Sequence, residues 1–190
     1  SPAAENDAPT PRCQNRVVPD VLHHFSEDPT IERFVPHVPA SNPTQAPAVW
    51  AIDADHAPLY WFPRNCPRVT AWPRSIDEQA AFRAAFATTA RRIHAIESAW
   101  LERMRTVALY RYDVARALFE RRPDASGQWV STSVIEPVDG QPMGDLLAMH
   151  VAADIELRIA PSLWPIHDLA ISDRWDFSIV RMANAVPRLG

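Results

Sequence analysis

Two short apolar runs, each closed by a cluster of titratable side chains, constrain this chain more than any other feature. The first is Leu22-His23-His24-Phe25-Ser26-Glu27-Asp28, and the second is Val49-Trp50-Ala51-Ile52-Asp53 continuing into Ala54-Asp55-His56-Ala57-Pro58-Leu59-Tyr60. A strand that only packs has no need of so many proton carriers at its end. With Tyr60, Trp61, Arg64 and Arg68 just downstream, the two ends suggest a pocket for a polar organic ligand. That pattern points to an enzyme without fixing its reaction.

The surrounding segments read as a mixed α and β chain. Residues 1 to about 18 are rich in Ala, Pro, Asn and charge with little to bury, so a disordered leader is expected there, followed by one catalytic domain over 19–190. Val21–Phe25 reads as the first strand, Ile31–Val38 as an extended piece, and Ala48–Ile52 as a compact second strand. Ala54–Phe62 suggests one or two helical turns capped by Asp55, and Val69–Trp72 another strand.

A long helix is expected from the capping box Ser75-Ile76-Asp77-Glu78, with Phe82, Phe86, Ala90, Ile93, Trp100 and Met104 recurring at helical spacing. Thr88-Thr89 marks a possible break into two helices. Val107–Tyr112, Trp129–Ile135, Ile155–Ile159 and Phe177–Met182 read as strands. Met143–Val151 and Ser162–Asp168 read as short helices. Because strands and helices mix without regular alternation, the expected architecture is α+β: a bent or split, mostly antiparallel sheet with flanking helices.

Composition narrows the chemistry. A chain of 190 residues, 47% apolar and with seven Trp and seven Phe, can bury about two thirds of its unfolded surface. The formal charge of −4 provides no field to draw nucleic acid. All 19 basic residues are Arg, which excludes Lys nucleophiles, Schiff bases and Walker-type phosphate binding. Only four Gly occur and no Gly-rich phosphate loop. Cys13 and Cys66 lack the spacing of a redox or zinc motif. The seven His form no HExxH or His-x-His pattern, so no metal is expected. A G-x-S-x-G elbow is missing too. No run approaches the roughly 18 apolar residues of a membrane span, and a cytoplasmic location without membrane contact is expected.

The candidate ligand-handling residues follow from position. His23 and His24 must face opposite sides of a strand; His24, on the face of Ser26, is the one expected in the cleft. Asp53, Asp55 and His56 offer further proton carriers, unless Asp55 only caps a helix. Tyr60 falls four residues after His56, and Trp61 offers a stacking plane. Arg64 and Arg68 flank the Cys66-Pro67 corner, where they can clamp a carboxylate or phosphate or simply form surface ion pairs. Trp50 and Trp129 sit on strands near this group. Ser131, Thr132 and Ser133 lie along the Trp129 strand, and Glu136 is a carboxylate able to steady a developing cation or act as a base. Arg181 and Asn184 read as structural.

Leu22–Pro29, Val49–Asp53, Pro63-Arg64-Asn65-Cys66-Pro67-Arg68-Val69 and the late Asn184-Ala185 resemble an uncharacterised bacterial family of unknown function, over about residues 20 to 186. More distantly the pattern is similar to the ADP-ribosyltransferase-like superfamily. Members open with a strand reading apolar-aromatic-His-x-Ser/Thr, as His24-Phe25-Ser26 resembles. A second strand then leads to a short helix with a Tyr, and a late strand carries a Glu. The resemblance implies that His24 grips the ribose hydroxyls of NAD as substrate, Tyr60 stacks on the leaving base, and Glu136 steadies an oxocarbenium-like charge. Ser131-Thr132-Ser133 stands where that Glu is expected. The alternatives are acid–base chemistry on a carboxylated metabolite in the same cleft, with His24, Asp53 and His56 moving protons, or a non-catalytic binding module.

Overall fold

The computed structural model describes residues 20–39, 43–172 and 174–188. The expected leader and Cys13 lie outside the described residues. The fold is α+β and built on two sheets. The first contains β1 (Val21–Ser26), β2 (Val49–Ile52), β5 (Tyr110–Ala115), β6 (Glu120–Arg121), β7 (Gln128–Ser131) and β8 (Asp139–Pro142), in the spatial order β6-β7-β2-β1-β5-β8. The second contains β3 (Arg68–Trp72), β4 (Arg92–Glu97), β9 (Ile155–Ala160) and β10 (Asp176–Val180), in the order β10-β3-β4-β9. Every pairing is antiparallel except β4 with β9. Among the described residues no helix is long and apolar enough to cross a membrane.

The first sheet is split. β1 pairs with β5 along its whole length, from Val21 opposite Ala115 to Ser26 opposite Tyr110. With β2 it keeps a single register pair, His23 opposite Ile52. Beyond that pair the two strands part toward Ser26 and Val49, and the polar end of β1 opens into the gap. The segment after β1 folds back as a strap that is not a continuous strand. It bridges once from Phe34 to Ile135 and once from His37 to Ala48. Pro29, Pro36 and Pro39 remove donors that a longer ladder needs.

Helices cover both faces of the second sheet. α1 (Gln79–Phe86) and α4 (Trp164–Ala170) pack Phe82, Phe86, Leu163 and Ala170 on Val69, Ala71, Ile93 and Ala95, with Trp175 in the same cluster. On the other face α2 (Leu101–Thr106) and α3 (Leu146–Ala152) bring Met104 and Leu146 against Ile96, Phe62 and Cys66.

The long helix expected from Ser75 to Met104 is corrected here. α1 ends at Phe86, where Ala87 turns left-handed at φ 49°. Thr88 then bonds the Glu156 carboxylate and accepts the Ala90 N–H at 3.0 Å. The next element is strand β4, and a helix returns only at α2. β4 is covered on both faces, so Ile93 to Glu97 are all buried. A strand buried on both sides lacks the alternation that identifies strands, and its apolar positions fall in with a helical count.

The capping box is corrected as well. α1 begins at Gln79, and the Glu78 carboxylate accepts instead from the Arg74 N–H at 3.1 Å. Asp55 caps nothing. Asp53 receives the His56 N–H at 3.0 Å, ahead of a 3₁₀ turn at Ala57–Tyr60. Strand β7 stops at Ser131, short of the expected Ile135, because Ser131 Oγ accepts the Ser133 N–H at 3.3 Å and turns the chain.

Candidate functional site

The gap between β1 and β2 continues into a cleft of about 350 Å³ lined by His24, Ser26, Trp50, Tyr60, Arg64 and Arg68, among others. Six residues singled out in the sequence therefore meet there. They arrive from β1, β2, the 3₁₀ turn after β2 and the Cys66-Pro67 corner that leads into β3.

His24 sits where the sheet parts. Its Nδ1 lies 2.9 Å from the carbonyl oxygen of Trp50. A carbonyl only accepts, so Nδ1 carries the proton and Nε2 keeps its lone pair. The side chain thus replaces a ladder bond lost at the split. Phe34 of the strap packs on the ring at 4.4 Å. Burial holds the His24 pKa below its ordinary value, against the bond to Trp50, so the ring is neutral.

Tyr60 lies across the gap, its ring parallel to Phe25 within 3° at a centroid distance of 6.5 Å. Its hydroxyl accepts from Gln128 Nε2 at 3.1 Å, leaving its own proton to donate. Burial raises the phenol pKa, and the nearby Arg68 and Arg181 charges oppose that shift. Gln128, Tyr60, Phe25, Trp50 and His23 also wall a side chamber of about 90 Å³.

His23 faces the other side of β1, as alternation requires. Its Nδ1 is 2.8 Å from Asp113 Oδ1, and Arg111 clamps the same carboxylate through Nε at 2.8 Å and Nη2 at 3.1 Å. The Arg–Asp–His chain fixes the imidazole orientation.

The other candidates lie elsewhere. Asp53 and His56 form a closed pair, Oδ1 to Nδ1 at 2.7 Å, at the corner where Asp53 N–H donates to Gly127 O. Trp61 packs edge-on against His150 at 5.8 Å with its indole N–H buried and unpartnered. Trp129 lies under the Arg116 guanidinium at 4.3 Å, Ser131 is buried in its turn, and Glu136 is exposed outside the cleft lining.

Several participants were not among the ligand-handling residues expected from the sequence. Arg181 reaches the cleft from the end of β10 in a left-handed conformation, φ 61°. Glu27 lines the rim, where it accepts the Arg64 N–H at 2.7 Å and pairs with Arg103. Gln128 gains its place only through the β2–β7 register, opposite Ile52. Beneath Phe62 two buried imidazoles meet, His94 Nδ1 to His150 Nε2 at 3.0 Å. His150 Nδ1 donates to Leu146 O at 2.7 Å, so its Nε2 accepts from His94. Among the described residues no group of three or more His, Cys, Asp or Glu is placed to hold a metal ion.

A family model matches residues 23–185, which include every cleft residue named above. The chain belongs to DUF6886, a family of unknown function. No curated protein and no solved structure matches it. For this DUF6886 member, function has to be argued from the cleft itself.

Proposed function

We propose that this protein is a small-molecule enzyme that binds NAD or a nucleotide-like substrate in the β1–β2 cleft and cleaves or transfers at its N-glycosidic carbon. The observation that carries this reading is His24 at the split, with Nδ1 engaged by Trp50 O and Nε2 left as a neutral acceptor. A neutral imidazole accepts a sugar hydroxyl, whereas an imidazolium cannot. The flat ring of Tyr60, parallel to Phe25, offers a stacking surface for a leaving base. The resemblance of His24-Phe25-Ser26 and the following Tyr60 to the ADP-ribosyltransferase-like pattern supports the same assignment.

In this reading the C1′–N bond breaks with its electron pair leaving on the pyridinium nitrogen, which releases neutral nicotinamide. The sugar carbon becomes oxocarbenium-like, and water or an acceptor hydroxyl adds to it and loses a proton. Glu136 is exposed outside the cleft, and the carboxylate within the lining is Glu27, which faces the growing positive charge in its place. Glu27 is already committed to Arg64 N–H and Arg103. That commitment favours a second reading, in which the cleft acts on a carboxylated metabolite through His24 without NAD.

Titration of the protein with NAD, followed by the fluorescence of Trp50 and by nicotinamide release in the same samples, separates the two. Saturable quenching with nicotinamide release that is lost in His24→Ala is expected. Absence of binding at millimolar NAD overturns the NAD reading, and binding without release reduces the protein to a binding module.

A further inference from the structure

Arg68 is a buried cation with no carboxylate partner among the described residues. Only 6% of its surface is exposed, and it lines the cleft at the start of β3. Its Nε donates to Leu59 O at 3.0 Å and its Nη1 to Cys66 O at 3.2 Å. Both acceptors are neutral carbonyls. The guanidinium carbon lies 5.5 Å from the Tyr60 ring centroid and 5.1 Å from that of Phe62. Among the described residues no carboxylate pairs with it, and Nη2 has no acceptor. Arg103, Arg111, Arg122, Arg158 and Arg188, all more exposed, each have a carboxylate partner.

The neighbours worsen the imbalance. Arg181 is near enough for its charge to act on both Arg68 and Tyr60, and that of Arg64 acts on His24. Glu27, the acidic residue in the lining, is held by Arg103. A positive cleft has thus been built into a chain of net charge −4. Burying an unpaired charge is costly, and a guanidinium does not relieve that cost by losing its proton. Among the described residues no acidic side chain offsets it, and a bound anion would.

A second hollow of about 380 Å³ shows the contrast. It is lined by Trp72, Arg91, Arg92, Asp55 and Asp154, so it holds acids beside its arginines. Arg92 there stacks on Trp72 at 4.9 Å and donates to the backbone carbonyl of Asp55 at 3.3 Å, and the negative charges of Asp55 and Asp53 act on it.

We infer that the cleft seats an oxyanion of its ligand, a phosphate or carboxylate group, on Arg68 Nη2, with Arg181 and Arg64 closing over it from the rim. The inference rests on the same cleft as the reading above and deepens it by naming the ligand class. If NAD is the ligand, the group is its diphosphate. Neutral ligands of equal size are rejected, because they leave the guanidinium unpaired.

The test titrates the full chain with pyrophosphate and, separately, with succinate at constant ionic strength, reading Trp fluorescence and melting temperature. Saturable binding of one of them is expected, tightening as salt is lowered, and the tighter of the two identifies the phosphate or carboxylate source. Arg68→Met is expected to weaken binding at least tenfold and Arg181→Gln several-fold, while Arg105→Gln, exposed on α2, leaves it unchanged. If Arg68→Met fails to fold, the Arg64→Gln/Arg181→Gln double variant serves, and unaltered binding in it overturns the site. Binding of neither anion does the same. NAD binding that is indifferent to Arg68→Met overturns the oxyanion seat and leaves the NAD reading standing. Pyrophosphate binding without NAD binding does the reverse.

Discussion

Tyr112→Phe removes one oxygen and tests how the strap is held over the cleft. Tyr112 is buried on β5 opposite His24 in register. Its hydroxyl donates to Asp28 O at 2.6 Å and accepts the Ile31 N–H at 3.2 Å. Those two bonds tie the start of the strap to the sheet. The ring meets Phe34 edge-on at 5.6 Å, and Phe34 in turn covers His24. Phenylalanine keeps that ring contact, so packing is conserved and only the hydrogen bonds are lost. At roughly 0.5–1.5 kcal/mol for each net hydrogen bond, the loss is about 1–3 kcal/mol. For a domain of this size that lowers the melting temperature by roughly 2–12 °C. Urea and thermal unfolding of both proteins measure it, and faster hydrogen exchange at the Ile31 amide locates it in the strap. A change under about 0.5 kcal/mol, the size of an ordinary surface substitution, together with unchanged exchange, refutes the view that Tyr112 anchors the strap.

Three other outcomes are expected. Gly127→Ala forces a side chain into a backbone at φ 67° and drives its Cβ into the His56 ring; a loss of about 1–3 kcal/mol from the conformation alone, plus the collision, is expected in urea unfolding, and a neutral result contradicts the placement of that corner. Burial lowers the pKa values of His24, His94 and His150 below 6.5 in the folded state. The unfolded chain then binds more protons, so stability is complete above about pH 6.5 and falls as pH drops below it. Urea midpoints at pH 7.5 and 5.5 check this, with a shallower dependence in His94→Leu, and greater stability at pH 5.5 contradicts it. Burial pushes the Cys66 thiol up to about 12. The peptide carrying it is expected to resist alkylation at pH 8 in the native protein and to react once unfolded, as read by mass spectrometry; labelling of the native protein contradicts the burial.

Strands set off by neighbouring proline or polar clusters were legible as strands, β3 among them although all five of its residues are buried. β1, β2, β3 and β9 fall within about a residue of the segments where apolar runs end in polar clusters or alternate with polar residues. The helix ending at Ala170 was legible through Pro165 in its first turn, although its N-cap is Leu163 and the expected cap Ser162 lies one residue earlier, its Oγ accepting the Trp164 N–H at 3.4 Å. β4 was not legible, because Ile93-His94-Ala95-Ile96-Glu97 is buried on both sides and its apolar positions continue the helical count of the preceding α1. The parallel pairing of β4 with β9 joins residues more than fifty positions apart and has no local signature.

Of the cleft, the residue types were readable and the partners were not. His24, Ser26, Trp50, Tyr60, Arg64 and Arg68 are short-range features, each set by the end of an apolar run or a Pro-flanked corner. Their meeting depends on β1 and β2 parting after one register pair, which the sheet as a whole imposes. His56 lies as near to Tyr60 in sequence as Arg64 does, yet it and Asp53 satisfy one another outside the cleft lining. The sequence by itself determined the α+β class, the polar ends of the first strands and the Arg-only cationic chemistry, because these depend on residue identity and local period. Only the tertiary structure decided that Arg68 is a buried cation without a counter-charge among the described residues, that Arg181 and Gln128 join its surroundings, and that Glu136 stays outside. Burial and charge balance belong to the whole set of packed neighbours, and distances along the chain do not encode them.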